Sequence, residues 1–342
     1  MKTDKKIILS LSGGESSGFL AYDLFTFGYD VIYLFANTGL ENNETLDFVK
    51  AMEDNWGIKV VWLEAVVNPE HGKGITHRVT SYEKAFRVNQ YKGENHPYHA
   101  FVRKHGIPNA TYKQCSDRLK ELVIEDYKKK NGLKGVKHAL GMRFDEPNRV
   151  CPAPVRKAIA KTPFDDFDFR CKERLINLEK LKAMINLNKL SFVKSLTQSD
   201  VKLIYSYVNK IEKYNLCYPM YDLFKKDKQD VKEFWANQFF GLELEDHEGN
   251  CQTCWKKSAK KLHLLALEHP ERFEPFAWLE KMYQHVKPNS NGNPRYFFRG
   301  HKSAEMILGE SKLMDAYMLR KLIGTNPEQN AGCAESCEPY QF

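Results

Sequence analysis

The sequence predicts an α/β protein: a doubly wound parallel sheet with a mainly helical C-terminal part. Three observations carry this. Short β-branched apolar runs alternate with amphipathic segments over residues 6–63, a glycine and serine turn joins the first run to the first amphipathic segment, and beyond residue 150 the apolar pattern takes helical spacing. Such alternation sets successive strands parallel and packs the intervening helices on the sheet faces.

Lys6–Leu11 is short, β-branched and apolar enough for a buried strand, and Phe19, Leu20, Leu24 and Phe25 then recur at helical spacing. Val31–Ala36 is a second β-type run. Leu46, Val49, Met52 and Trp56 mark a second helix, and Lys59–Leu63 a third strand. Ser12 to Ser17 is therefore a strand-to-helix turn. Glycines let the backbone fold tightly and approach a ligand, while first-turn amides without intrahelical partners and the helix dipole attract an anion, most often a phosphate. Serine is also a good helix cap, so the turn alone does not name its ligand. Asn37, Thr38 and Gly39 follow the second strand and fall on the same rim, where ligands of open α/β sheets bind.

With 342 residues the chain is long enough for one large and one smaller domain, or for two. It carries 52 basic and 44 acidic residues, a formal charge of +8, which favours anionic partners without naming nucleic acid. No apolar stretch approaches the ~20 residues of a membrane span, and the charged start leads into a strand, so the expectation is a cytoplasmic protein without a membrane partner. In a reducing compartment the eight cysteines favour metal ligation or reactive thiols over disulfides.

Four motifs in order resemble the adenine nucleotide alpha-hydrolase (PP-loop ATP pyrophosphatase) superfamily, and its PAPS reductase-like branch in particular. Ser12-Gly13-Gly14-Glu15-Ser16-Ser17 is similar to the SGGxxS loop, and FANTGLENNETLDFV (35–49) to the second-strand motif. TYKQCSDRLK (111–120) resembles the basic-x-Cys-Ser/Thr-x-x-Leu-Lys segment, and GMRFDEPNR (141–149) the GxRxDExxR segment. YPMYDLFKKDKQDVKEFW (218–235) is a weaker likeness to a Tyr/His-Pro-apolar-x-Asp segment. The resemblance implies a nucleotide-binding domain over residues 1–150, which holds ATP or PAPS. The amides of Gly13 and Gly14 and the hydroxyls of Ser12, Ser16 and Ser17 would grip the phosphates or sulfate, and Asn37 and Thr38 would face the adenosine. Lys113, Lys120, Arg143 and Arg149 would neutralise the remaining charge. Asp145 and Glu146 would orient the arginines or hold Mg²⁺; the alternative is that Arg143, Asp145, Glu146 and Arg149 form a surface ion-pair cluster.

Residues 151–342 change character. A Pro-punctuated stretch opens them, and 173–187, 231–240 and 262–283 read as helices. Cys251 and Cys254 form one close pair beside Gly249-Asn250, and Cys333 and Cys337 another after Gly332. Two such pairs are what a four-thiolate centre requires, a [4Fe–4S] cluster or Zn²⁺, which the spacing does not separate. Cys115 stands apart from the isolated cysteines 151, 171 and 217 because Lys113 and Lys120 would lower its pKa.

PAPS reductases carry a Glu-Cys-Gly-x-His type redox cysteine near the C-terminus, which this chain lacks. The resulting expectation is an enzyme that cleaves ATP to AMP and pyrophosphate and so adenylates an acceptor, with sulfur transfer (thiolation) as one use of the adenylate. Lys120, Arg143 and Cys115 are its candidate catalytic residues, and tRNA or DNA a candidate acceptor. One alternative is PAPS reduction, with Cys115 or Cys337 attacking the sulfonyl sulfur. Another is a non-catalytic nucleotide or nucleic-acid-binding module, whose surface would be Lys256, Lys257, Lys260, Lys261 and Tyr296–Arg299.

Overall fold

β1 (Thr3–Leu11), β2 (Tyr29–Asn37) and β3 (Val60–Val67) alternate with α1 (Glu15–Thr26) and α2 (Asn43–Trp56). The computed structural model describes residues 3–162, 173–187, 189–289, 291–325 and 339–340. Three further strands complete the sheet: β4 (Ile75–Thr80), β5 (Lys137–Ala139) and β6 (Leu216–Cys217). The order is β4-β3-β2-β1-β5-β6, parallel throughout except for β4, which runs antiparallel along β3.

The strand pleat sorts the core into two layers. Ile7, Leu9 and Leu11 of β1 face one cluster with Tyr33 and Phe35 of β2, whereas Ile8, Leu34 and Ala36 face another. Strands buried on both faces read as continuous apolar runs, which is why β1 to β3 were visible in the sequence.

In chain order the remaining helices are α3 (Pro97–His105), α4 (Leu122–Lys130), α5 (Pro147–Val150), α6 (Ala153–Ile159), α7 (Glu173–Asn186) and α8 (Gln198–Tyr214). They continue with α9 (Lys228–Ala236), α10 (Ala259–Glu268), α11 (Glu274–Tyr283), α12 (Ala304–Ser311) and α13 (Ala316–Thr325). The part after Val150 is thus mainly helical among the described residues, although it lends β6 to the sheet. α9 sets Val231 and Trp235 into the first core layer, beside Phe19 and Leu24 of α1 and Phe48 and Met52 of α2.

Two predicted helices differ in extent. The one expected over 231–240 starts earlier, because the Asp227 side chain accepts from the Gln229 and Asp230 amides, and it ends at Ala236. The one expected over 262–283 is two helices, split by a 3₁₀ turn at Pro270–Phe273. Proline offers no amide hydrogen and biases His269 away from helical geometry. The Pro-punctuated stretch carries the short helix α6, since Pro152 and Pro154 fall at its start, where proline is tolerated. No helix among the described residues is long and apolar enough to cross a membrane.

The chain winds from β1 to β2 and β3 on one side, and β5 and β6 lie on the other. The strand order therefore reverses between β1 and β5, and the crevice beyond their carboxyl ends is where such a sheet binds ligands.

Candidate functional site

The Ser12–Ser17 turn leaves β1 at this crevice. Gly13 takes φ +78°, and a Cβ there would lie 2.3 Å from Thr45 Cγ2, so both conformation and space demand glycine. The two buried serines fold the turn from within. Ser17 Oγ donates to the Gly14 carbonyl (2.9 Å) and accepts the Ser12 amide (3.1 Å), and the two hydroxyls pair at 2.9 Å. Ser12 and Ser17 thus shape the cradle and do not reach out as ligand donors. Gly14, Glu15 and Ser16 are the turn residues that border a cavity. α1 begins there with Gly14 as its N-cap and no capping side chain, and the Gly14 amide itself donates to Ser12 Oγ (3.4 Å).

The loop after β5 packs directly on this turn. At Gly141 a Cβ would meet Ser17 Cα at 2.9 Å and Ser17 N at 3.1 Å, so the two backbones touch. Two residues on, Arg143 is buried with its guanidinium fixed from several sides. Nε donates to Asp145 Oδ1 (3.0 Å), Nη2 to Asp145 Oδ2 (3.3 Å) and Nη1 to Ser16 Oγ (3.1 Å). Glu146 lies 3.4 Å from Arg143 Nη2 and accepts from Arg149 Nη1 at 2.6 Å. The two carboxylates orient arginines, and the cluster is docked on the turn, not spread over the surface.

Across the cavity stand Lys228 and Lys232 of α9, and its floor includes Asn250. Asn250 Nδ2 donates to the Ser12 carbonyl (2.9 Å), whereas Oδ1 is buried without a hydrogen-bond partner among the described residues. The cavity thus combines three cationic side chains, Arg143, Lys228 and Lys232, with three carboxylates, Glu15, Glu245 and Asp246, and one acceptor in need of a donor.

A second cavity lies behind this one. Thr38, Cys115, Ser116, Lys120, Cys251 and Cys254 line it, together with Leu40, Tyr98, Trp255 and Phe276. Lys120 sits on a π-helical turn, Asp117–Glu121, whose wider winding buries Leu119, Lys120 and Glu121 in succession. Its ammonium lies 3.3 Å from Glu41 Oε1, with both side chains nearly inaccessible. Glu41 Oε2 in turn accepts from the Thr38 amide and hydroxyl, each at 2.8 Å, and Cys251 Sγ lies 3.7 Å from Oε1. Lys120 and Arg143, expected together on the anionic end of a nucleotide, therefore belong to different cavities.

Residues 249–252 divide the two spaces. Cys251 bridges Glu41 in antiparallel fashion, the Asn42 amide donates to the Asn250 carbonyl (2.8 Å), and the Gln252 amide to the Leu40 carbonyl (2.9 Å). In this extended stretch neighbouring side chains point opposite ways, so Asn250 enters the first cavity and Cys251 the second. Lys257, buried, donates to the carbonyls of Cys251 (2.7 Å) and Gln252 (2.6 Å) and fixes the turn between the cysteines.

Other expected residues fall elsewhere. Asn37 is wholly buried and spends its carboxamide on Glu64 (2.7 Å), the Phe86 carbonyl (3.0 Å) and the Gly39 amide (3.0 Å), so it holds the rim and faces no ligand. Lys113 is exposed and borders neither cavity. Of the proposed basic surface, Lys257, Lys261, Phe297 and Phe298 are buried, and Lys261 donates to the Asp246 carbonyl at 3.0 Å. Cys333 and Cys337 lie outside the described residues, as does Cys171. Among the described residues no three or more His, Cys, Asp or Glu side chains close on a single metal ion. Sequence reading missed Asn250, Lys228, Lys232 and Glu41 as site residues; the EGNC run before the cysteine pair was the available signal for Asn250.

His96 roofs the rim at Gly39, which has φ +83° and whose Cβ would fall 2.5 Å from His96 Nε2. Nε2 donates to the Gly39 carbonyl (3.2 Å) and Nδ1 accepts the His99 amide (3.4 Å), which describes a neutral ring. Burial pushes its pKa down to about 4.

No family model matches the sequence. The chain is similar to the uncharacterized nin region protein ORF290 of Escherichia phage lambda, at 24% identity over 340 residues, which span 97% of this chain and 94% of the phage protein. It is also similar to the uncharacterized protein MJ0066 of Methanocaldococcus jannaschii, at 29% identity over 132 residues, 37% of this chain and 21% of the archaeal one. The phage similarity runs through both halves of the chain and so takes in both cavities.

Proposed function

We propose that this protein is a PP-loop enzyme of the PAPS reductase-like branch, which binds an adenine nucleotide in the first cavity and couples its cleavage to sulfur chemistry in the second. The observation that carries this reading is the shared wall, where Asn250 faces the anion cavity and Cys251 the thiol cavity. ATP is the substrate this favours. The loop amides, Arg143, Lys228 and Lys232 would hold its polyphosphate, and Asn250 Oδ1 would take a donor, a ribose hydroxyl or a Mg²⁺-bound water. An acceptor oxygen would attack the α-phosphorus, the bond to the β-phosphate would break, and pyrophosphate would leave with its charge offset by Arg143, Lys228 and Lys232. Positioning and fixed charge would supply most of the acceleration.

Cys115, Cys251 and Cys254, which border the second cavity, are the described residues that would contribute thiolates to an iron–sulfur cluster or a zinc ion. Such a cluster would supply a redox-active or sulfur-carrying group next to the adenylated acceptor. The test is anaerobic purification with iron and sulfide counts, followed by assays of pyrophosphate release from ATP and sulfite release from PAPS. Pyrophosphate release supports the reading. Sulfite release alone would move the assignment to PAPS reduction, and binding without turnover to a nucleotide-binding module.

A further inference from the structure

We infer that Val231, Leu242 and Leu244 form the seat for the base of the nucleotide, which rests on the nucleotide reading of the first cavity and moves the base away from the β2 rim to which the motif resemblance assigns it.

These three side chains are the apolar part of a cavity otherwise lined by charged and polar residues and by glycine. The Trp235 indole donates to the Glu15 carbonyl (3.0 Å), which fastens α9 against the turn, and Val231, one helical turn back, faces the same space. Leu242 and Leu244 come from the run after α9. Both line the cavity, whereas Glu243 between them is exposed. Leu242 leans on the first core layer, but Leu244 belongs to neither layer. A single leucine at a surface needs no explanation; three apolar side chains that two segments bring to one wall of a charged cavity do.

Small-molecule sites combine apolar walls, which take the bulk of the ligand, with a few polar groups, which orient it. The space here is about 640 Å³, within the ~300–1,000 Å³ of such sites. A nucleotide matches each part of the lining. Its phosphates suit the turn and Arg143, the apolar faces of its base suit branched aliphatic side chains, and its ribose hydroxyls are donors. Asn250, 5% exposed, offers them Oδ1, which is buried without a partner among the described residues. The carboxylates of the cavity have their own charge partners: Glu245 is held by Arg320 (2.8 Å) and His247 (3.4 Å), and Asp246 stands 4.0 Å from Lys232. Glu15 lies in the first turn of α1, where negative charge is favoured.

The β2 rim is taken up by the protein itself. Asn37 spends its carboxamide on Glu64, Phe86 and Gly39, Thr38 and Leu40 line the second cavity, and His96 covers Gly39. None of these four rim residues borders the first cavity.

The experiment titrates the full chain calorimetrically with ATP and with inorganic tripolyphosphate, which carries the anionic groups without a base. Wild type, Leu244→Asn and Leu244→Met are compared, and urea unfolding confirms that each is folded. Wild type should bind ATP more tightly than tripolyphosphate. Leu244→Asn should weaken ATP binding about 10-fold, the order expected for a lost leucine contact, and leave tripolyphosphate within about twofold; Leu244→Met should keep the wild-type affinity for ATP. A folded Leu244→Asn chain that binds ATP like the wild type, or that loses ATP and tripolyphosphate alike, overturns the inference and leaves the nucleotide reading intact. A wild-type chain that binds ATP no more tightly than tripolyphosphate removes the base seat and leaves an anion site, and one that binds neither overturns both readings.

Discussion

Gly141→Ala is the sharpest single perturbation of the first cavity that removes no polar group. Its new Cβ would lie 2.9 Å from Ser17 Cα, 3.1 Å from Ser17 N and 3.2 Å from Ser17 Cβ, so no rotamer change relieves it. Restoring ordinary contact moves the two backbones apart by about 0.5 Å, and Ser17 resists because its hydroxyl is tied to Ser12 and Gly14. Overpacking of this kind destabilises by about 1–3 kcal/mol. The same movement stretches the Arg143 to Ser16 hydrogen bond, now 3.1 Å, and swings the guanidinium away from the cavity. Loss of one charge-assisted contact removes about 1.5–3 kcal/mol of binding, so ATP affinity should drop about 10- to 100-fold. Urea unfolding and calorimetric titration with ATP read the two effects. Gly135→Ala is the control, because a Cβ there meets nothing within 4 Å. If Gly141→Ala unfolds and binds ATP like the wild type, the close packing of the two loops does not build the site.

Lys120→Met strands the Glu41 carboxylate in a buried position and should cost about 3–5 kcal/mol in chemical denaturation, with Glu41→Gln in the same chain recovering much of the loss; a double variant as unstable as the single one would show that the pair is not what holds this cavity. The neutral, buried His96 predicts an acid-sensitive fold. The unfolded chain takes up its proton below about pH 6.5, whereas the folded one waits until about 4, so His96 withdraws up to about 1.4 kcal/mol of stability per pH unit as pH falls through that window. His96→Gln should flatten the slope by that amount, and an unchanged slope would mean that the ring is protonated in the fold. Iron retained after anaerobic purification should fall in Cys115→Ser, Cys251→Ser and Cys254→Ser but not in Cys217→Ser, which lies in β6 away from both cavities; full iron in Cys115→Ser would remove it from the centre.

The parts of the fold that sequence made legible are those in which one local pattern has one structural meaning. β1, β2 and β3 are apolar on both pleat faces and several residues long, so their runs stand out. β5 and β6 have three and two residues, too short for any period; β5 adds to the free edge of β1, and β6 to that of β5. In the candidate site, the glycine turn was readable because its conformation and close packing demand glycine at Gly13. Ser12, Ser17 and Asn37, expected as ligand contacts, spend their side chains on the protein itself, because a hydroxyl or carboxamide at a rim serves equally well to hold the rim. Arg143 and Lys120 look alike as isolated cations, and only the π-helical turn at Asp117–Glu121 sends Lys120 to Glu41 instead of to the anion cavity.

The cavities also show why the first half of the chain does not make the site by itself. Asn250 holds the Ser12 carbonyl, Asn42 Nδ2 donates to the Gly249 carbonyl, and the Trp235 indole donates to the Glu15 carbonyl, so three contacts from the second half fasten the turn and the rim. Each crosses more than two hundred residues of sequence, a separation whose loop entropy must be overcome before any of them forms. The Ser12–Ser17 turn is therefore fully fastened only where α9 and the 249–252 stretch are docked on it. A ligand bound between Gly14, Arg143 and Asn250 would join the two halves of the chain, and movement of the 249–252 wall under that ligand would be felt at Cys251 on its other face.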